Sequence, residues 1–236
     1  VILTQSKLLD LENPMISFDE WWELWVTKTR VRPESKHHQY GNYFEWLVLG
    51  KNSGGVTTPP QIQMTSSGKK PIDIRRIEQQ AENCVAILES LGFSPKATWL
   101  KQYTLKPSTL GVIPEDLGIL ISGTSDIILT LTTTETPWIL DLKLTSNLLS
   151  TRTPYSWGVP ANTRDPLQLV TYGALFEQEF GIKPKTGWAV FDYSPQLRCN
   201  IIELTVSTTK KEETLARYTR GATLLHNYII SHGIQD

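Results

Sequence analysis

Residues 119–145 read ILISGTSDIILTLTTTETPWILDLKLT, and this stretch decides the fold. Two strongly apolar runs, 119–131 and 138–144, flank the polar segment Thr132-Thr133-Thr134-Glu135-Thr136-Pro137, which has the size and chemistry of a hairpin connection. The runs are therefore expected to be antiparallel neighbours in a sheet. With the turn centred near Thr134, Asp126 falls opposite Asp141 or Leu142. A side-chain period of two places Asp141, Lys143 and Thr145 on one face of the second strand, and Leu140, Leu142 and Leu144 on the other. On the first strand the same period sets Ile119, Ile121, Ile127 and Leu129 against Ser122, Thr124 and Asp126.

An aspartate and a lysine two apart are common on exposed strands. Here they interrupt apolar runs, and buried charge is costly unless it is paired or bound to a metal. Two carboxylates and a lysine on adjacent strands match what metal-assisted phosphodiester cleavage requires. A hard divalent cation takes oxygen ligands, and the attacking water needs a group that orients it or removes its proton.

Outward from this pair, the chain of 236 residues fits one fairly large domain, 1–236, with residues 1–34 expected as a helical N-terminal extension. Its apolar runs are far too short to cross a bilayer, and its start has neither a basic n-region nor a long apolar stretch. An intracellular, cytoplasmic protein without a membrane partner is expected. The two cysteines, Cys84 and Cys199, show no metal-ligand spacing, which excludes an iron-sulfur cluster held by four cysteines of this chain. A formal charge of -1 neither suggests nor excludes nucleic acid, because an acidic metal site can cancel a basic groove in the sum.

Ser17-Phe18-Asp19-Glu20 has the form of a capping box before a short helix rich in tryptophan. Those aromatic residues could stack on unpaired bases, but at helical spacing they fit a core or docking face better. Ser35 can cap a second helix that stops at Gly50, ahead of the flexible stretch Asn52-Ser53-Gly54-Gly55. A third helix, 72–91, carries Ile74, Ile77, Ala81, Val85 and Leu88 on one face and ends at Gly92. A strand at 97–105 precedes the hairpin. A long irregular segment, 146–164, follows it and carries Arg152, Tyr155, Trp157 and Arg164, residue types that could contact phosphates and stack bases. Asp165-Pro166 opens another helix, then come strands at 187–193 and 197–206. A last helix, 210–231, has Leu215, Tyr218, Ala222, Leu225 and Tyr228 as core candidates. This order suggests an α/β (α+β) fold with a central mixed sheet flanked by helices.

Two more elements bear on the aspartates. Gln168 and Tyr172 are four apart on one helix face, so both can point to one cleft, although Gln168 could instead bond back to the helix start. In Tyr43-Phe44-Glu45-Trp46-Leu47 an acid is surrounded by large apolar groups at the edge of a buried stripe, as a cation ligand or a salt-bridged structural residue.

Taken together, Glu45, Asp126 in Gly123-Thr124-Ser125-Asp126, the Asp141-Leu142-Lys143 triplet and Gln168-Leu169-Val170-Thr171-Tyr172 resemble the PD-(D/E)XK nuclease superfamily, and within it the RecB-like exonuclease branch. The resemblance spans residues 40–193 and implies a restriction-endonuclease-like core. It also implies Mg²⁺- or Mn²⁺-dependent hydrolysis of DNA that leaves a 5′-phosphate and a 3′-hydroxyl. Carried over residue by residue, Asp126 and Asp141 would be the principal metal ligands, with the Leu142 carbonyl as a further one. Glu45 would complete the acidic site, with His37 or His38 as competitors because many members have a histidine near that place. Lys143 would orient or help to deprotonate the attacking water, while Gln168 and Tyr172 would contact the DNA backbone or hold the site together. The absence of four cysteines separates the chain from iron-sulfur relatives. A structure-selective or restriction-type endonuclease, and a catalytically silent nucleic-acid-binding subunit, are the alternatives. Repair, recombination, phage replication and defence all use such domains; an unwinding helicase would be a separate chain.

Overall fold

The structure is a computed structural model that describes residues 1–50, 58–62, 64–90, 98–130, 136–153 and 156–233. In chain order they form β1 (Ile2–Leu3), α1 (Gln5–Glu12), α2 (Phe18–Trp25), α3 (Lys36–Leu49), α4 (Ile72–Ser90), β2 (Thr98–Ser108), β3 (Leu120–Thr130), β4 (Trp138–Thr145), α5 (Leu167–Phe180), β5 (Lys185–Asp192), β6 (Cys199–Glu203) and α6 (Thr208–Ser231). The strands make one six-stranded sheet in the order β1-β3-β4-β5-β6, with β2 on β3. β3 runs antiparallel to β2 and β4, β5 antiparallel to β6, and the β1–β3 and β4–β5 pairs are parallel. The mixed, helix-flanked α+β architecture read from the sequence is the one the chain adopts.

Two apolar clusters sandwich the sheet. On one face Ile121, Ile128, Ile139 and Val190 pack with Leu8 of α1, Trp21 of α2, Leu169 and Leu175 of α5, and Tyr218 and Leu225 of α6. On the other, Ile127, Leu129, Leu140, Leu142 and Phe191 pack with Phe44 and Val48 of α3 and Ile77, Cys84 and Leu88 of α4. Helix ends follow local chemistry. Ser17 and Glu20 form the expected capping box. Ser35 caps α3, which ends at Gly50 with φ 79°, a left-handed geometry that glycine adopts without steric cost.

The β3 ladder departs from a simple alternation. Ile121 lies in the same cluster as Ile128, not with Ile127 and Leu129, so the grouping of Ile119, Ile121, Ile127 and Leu129 on one face does not hold. β3 changes faces between Ile121 and Ile127, and at that level, between the pairs Lys101↔Ile127 and Tyr103↔Ser125, the partner strand carries Gln102 with φ 51°. On β4 the alternation survives, with Leu140 and Leu142 on one face and Ile139 on the other.

Other expectations shift. The strand expected at 197–206 contracts to Cys199–Glu203, and Tyr228 is half-buried, stacked on Phe18, rather than a core residue. Helices α1 and α2 fall within the helical extension expected at 1–34, but β1, which joins that segment to the central sheet, has no counterpart in the sequence reading. Ile2 and Leu3 pair with Leu120 and Ile121, and Leu3 and Leu8 are fully buried. The hairpin tip at 131–135, residues 52–55 and Gly92 lie outside the described residues.

Two anchors, one buried and one at the surface, fix the elements that carry the site. Asp192, fully buried at the end of β5, accepts hydrogen bonds from Leu148 N (3.1 Å), Arg198 N (2.9 Å) and Ser194 Oγ (2.8 Å), tying down the segment that follows β4. Arg217 of α6 donates to both carboxylate oxygens of Asp165 at 2.8 Å and to Glu12, joining the start of α5 to the end of α1. No helix among the described residues is long and apolar enough to cross a membrane.

Candidate active site

The β3–β4 ladder ends at Ile127↔Leu140, although β3 runs on to Leu120 and β4 to Thr145. One step beyond the last pair stand Asp126 and Asp141, facing each other as the hairpin reading anticipated. Instead of a ladder carbonyl, the Leu142 N–H finds the Asp126 side chain, donating to Oδ2 at 2.8 Å. The strands diverge there, and β1 occupies the same edge of β3 further along, so the aspartates sit at the head of a split in the sheet.

A cavity of about 320 Å³ opens at this split. Its walls bring together Glu45 from the α3 layer, Asp126, Asp141 and Lys143 from the sheet, and Gln168 and Tyr172 from the α5 layer. Thr4, Gln5 and Ser6, at the first turn of α1, close one side. A larger cavity of about 450 Å³, between α5, β5 and the start of α6, contains none of these candidates.

Both aspartates are buried, Asp126 at 5% and Asp141 at 1% exposure, and their bonding is directional. Asp126 Oδ1 accepts from Gln102 Nε2 at 3.0 Å. Asp141 Oδ1 accepts from Gln168 Nε2 at 2.7 Å, and the same amide reaches the Tyr172 hydroxyl at 3.0 Å. Gln168 therefore faces the cavity and does not bond back to the start of α5, where Pro166 is the N-cap and the preceding Asp165 accepts from Leu167 N at 3.0 Å through Oδ1. Asp141 Oδ2 lies 2.6 Å from Lys143 Nζ as an ion pair, yet among the described residues no hydrogen bond is aligned on it. The lysine also donates to Gln168 Oε1 at 3.4 Å.

Charge is unbalanced. Among the described residues that line the cavity Lys143 is the one cation, set against three carboxylates. Burial, then the neighbouring Asp141 and Glu45 carboxylates, hold the Asp126 carboxyl well above the usual carboxylate range. For Lys143 burial works against the charged form, but Asp141 and Asp126 outweigh it, so the ammonium is held more firmly than usual. Burial keeps the Tyr172 phenol protonated, with its hydroxyl available as a neutral donor.

A hard cation fits this donor set. Two buried carboxylates face each other, and among the described residues one oxygen, Asp141 Oδ2, is buried in an ion pair with Lys143 but without an aligned hydrogen bond. Among the described residues no three Asp, Glu, His or Cys side chains already form a closed ligand cluster. The aspartate pair would hold the ion, with Glu45 approaching from α3.

The remaining candidates lie elsewhere. Arg164 stacks over the Trp157 ring, 3.6 Å from its centroid, and Trp157 in turn packs edge-on against the buried Trp188. Neither lines the cavity, nor does the exposed Arg152, and His37 and His38 are exposed at the start of α3. Sequence reasoning missed Gln102 and residues 4–6. Thr4 as an N-cap ahead of Leu8 was a usable signal for α1. Gln102 had none, because its role depends on a partner strand.

No protein-family model matches the chain, and no curated protein matches it in sequence. Among solved structures it is similar to a proposed exonuclease from Eubacterium rectale, at 16% identity and a TM-score of 0.62, covering 96% of this chain and 81% of that one. At this identity the likeness shows a shared fold. The chain is also similar to the protein SSO0001, at 16% identity over 65% of this chain and 58% of that one, with a TM-score of 0.33, too loose to bear on the fold.

Proposed function

We propose that the chain is a divalent-cation-dependent deoxyribonuclease acting as an exonuclease on DNA with a free end. The observation that carries this reading is the buried Asp126–Asp141 pair at the split between β3 and β4, with Lys143 paired to Asp141 as the one cation among the described residues that line the cavity. The fold shared with a proposed exonuclease supports it.

Asp126 and Asp141 would hold Mg²⁺ or Mn²⁺, and the Leu142 carbonyl would assist. In an extended residue the N–H and C=O leave on the same edge, so this carbonyl faces β3 as the N–H bonded to Asp126 does. When bound, the cation supplies charge stabilisation and makes a nearby water more acidic. The chain's own groups do the rest. Gln168 holds Asp141 in one orientation through its 2.7 Å hydrogen bond. Lys143, paired with Asp141, would orient the attacking water and offset charge on a phosphate oxygen. Tyr172 offers a neutral O–H to the phosphodiester backbone.

The test is cleavage of end-labelled linear and closed circular single-stranded DNA with Mg²⁺, Mn²⁺ or EDTA, alongside Asp141→Asn and Lys143→Ala. Metal-dependent loss of linear substrate alone, absent in both variants, is the expected result. Cleavage of circles would move the assignment to an endonuclease. Inactivity on every substrate would leave a nucleic-acid-binding role.

A further inference from the structure

We propose that Gln102 is a positioning residue that orients the Asp126 carboxylate for cation binding; this rests on the metal-site reading above. Gln102 is buried, 7% exposed, and its Nε2 donates to Asp126 Oδ1 at 3.0 Å. Together with the Leu142 N–H on Oδ2 at 2.8 Å, this puts one donor on each carboxylate oxygen. Two donors on opposite oxygens fix the plane of a carboxylate, so that its remaining lone pairs point in one direction.

The residue is a poor choice on structural grounds alone. It occupies a left-handed backbone geometry, φ 51°, that glycine would adopt at lower cost. Its Oε1 is buried and finds no donor among the described residues, which a leucine would avoid. Gln102 adds an amide where an apolar side chain would suit the core, and what the amide contacts is the carboxylate of the site. Backbone strain and an unsatisfied acceptor held at a residue of this kind mark a positional role. Nothing local in the sequence signals it, since Gln102 and Asp126 are 24 positions apart and meet only through the β2–β3 pairing.

The test is Mn²⁺ titration, followed by electron paramagnetic resonance, of the wild type, Gln102→Leu, Gln102→Gly and Asp126→Asn, with thermal midpoints measured in EDTA. Both Gln102 variants are expected to fold, the glycine variant with a midpoint at or above that of the wild type, and to bind Mn²⁺ about ten- to a hundredfold more weakly. In cleavage assays their half-saturating Mn²⁺ concentration should rise by the same factor. Wild-type Mn²⁺ affinity in both Gln102 variants, with Asp126→Asn impaired, would overturn the positioning role and leave the metal site standing. Wild-type affinity in Asp126→Asn, or no binding by the wild type, would overturn the metal site and the positioning role with it.

Discussion

The Tyr172 ring occupies the space where a side chain on Gly123 would be: a Cβ at Gly123 would meet Tyr172 Cε1 at 2.5 Å and Cδ1 at 2.8 Å. The glycine of β3 thus lets the tyrosine of α5 lie against the sheet, where its hydroxyl accepts from Gln168. Gly123→Ala is expected to push the ring out and break this contact, lowering stability by about 1–3 kcal/mol, as overpacking does. Cleavage should fall further than in Tyr172→Phe, which keeps the ring and loses only the hydroxyl. Comparing thermal midpoints and initial rates of the two variants checks this; an alanine variant as active as the wild type would sink it.

The Asp126 carboxyl carries a pH signature. Its folded pKa is raised, first by burial and then by Asp141 and Glu45, above an unfolded value of about 3.9. An acid of this kind contributes stability that is fully present below the unfolded pKa and is lost as pH rises through the folded one. Lys143, also raised, keeps its contribution until alkaline pH. In EDTA the wild type should therefore lose stability relative to Asp126→Asn as pH rises from about 4 toward neutrality. Saturating Mn²⁺ should reverse this trend, because ligation requires the ionised carboxylate. Calorimetry of both proteins across that range decides it, and parallel curves in EDTA would contradict it.

Cys84 is fully buried, and burial pushes its thiol up to about 12, whereas Cys199 is half-buried with a smaller rise. Since the thiolate is the reactive form, a thiol reagent at neutral pH is expected to label Cys199 first and Cys84 only on unfolding. Mass spectrometry of partly labelled protein reads the order directly. Equal labelling of both in the folded state would show that α4 does not seal Cys84.

Asp192 offers a structural control. Its removal in Asp192→Ala leaves the Leu148 and Arg198 amides without their acceptor, and a loss of about 3 kcal/mol is expected. Because Asp192 does not line the 320 Å³ cavity, Mn²⁺ affinity of the folded fraction should be unchanged. Denaturant titration and the same Mn²⁺ titration test the two halves separately, and a variant as stable as the wild type would refute the anchor.

Much of the site was legible in the letters because the relevant physics is local. Charges at Asp126, Asp141 and Lys143 interrupt apolar runs, a polar connection of hairpin size fixes which strands meet, and the ladder through Ile127↔Leu140 follows from counting outward from the turn. Capping at Ser17 and Ser35, and the i, i+4 spacing of Gln168 and Tyr172, are likewise set within one turn of helix. Tertiary structure decided what depends on partners distant in sequence. Gln102 meets Asp126 only across a strand pair, and β3 changes faces between Ile121 and Ile127, so period-two counting put Ile121 on the wrong face. Residues 4–6 reach the cavity because β1 fills the edge of β3 that β4 leaves open. Arg164 and Trp157, whose chemistry suits phosphate and base contacts, pack on each other and on Trp188, because burying their flat faces outcompetes exposure once the chain brings them together. Sequence determined which groups carry charge and which strands are neighbours; packing over long separations decided which of those groups share one cavity.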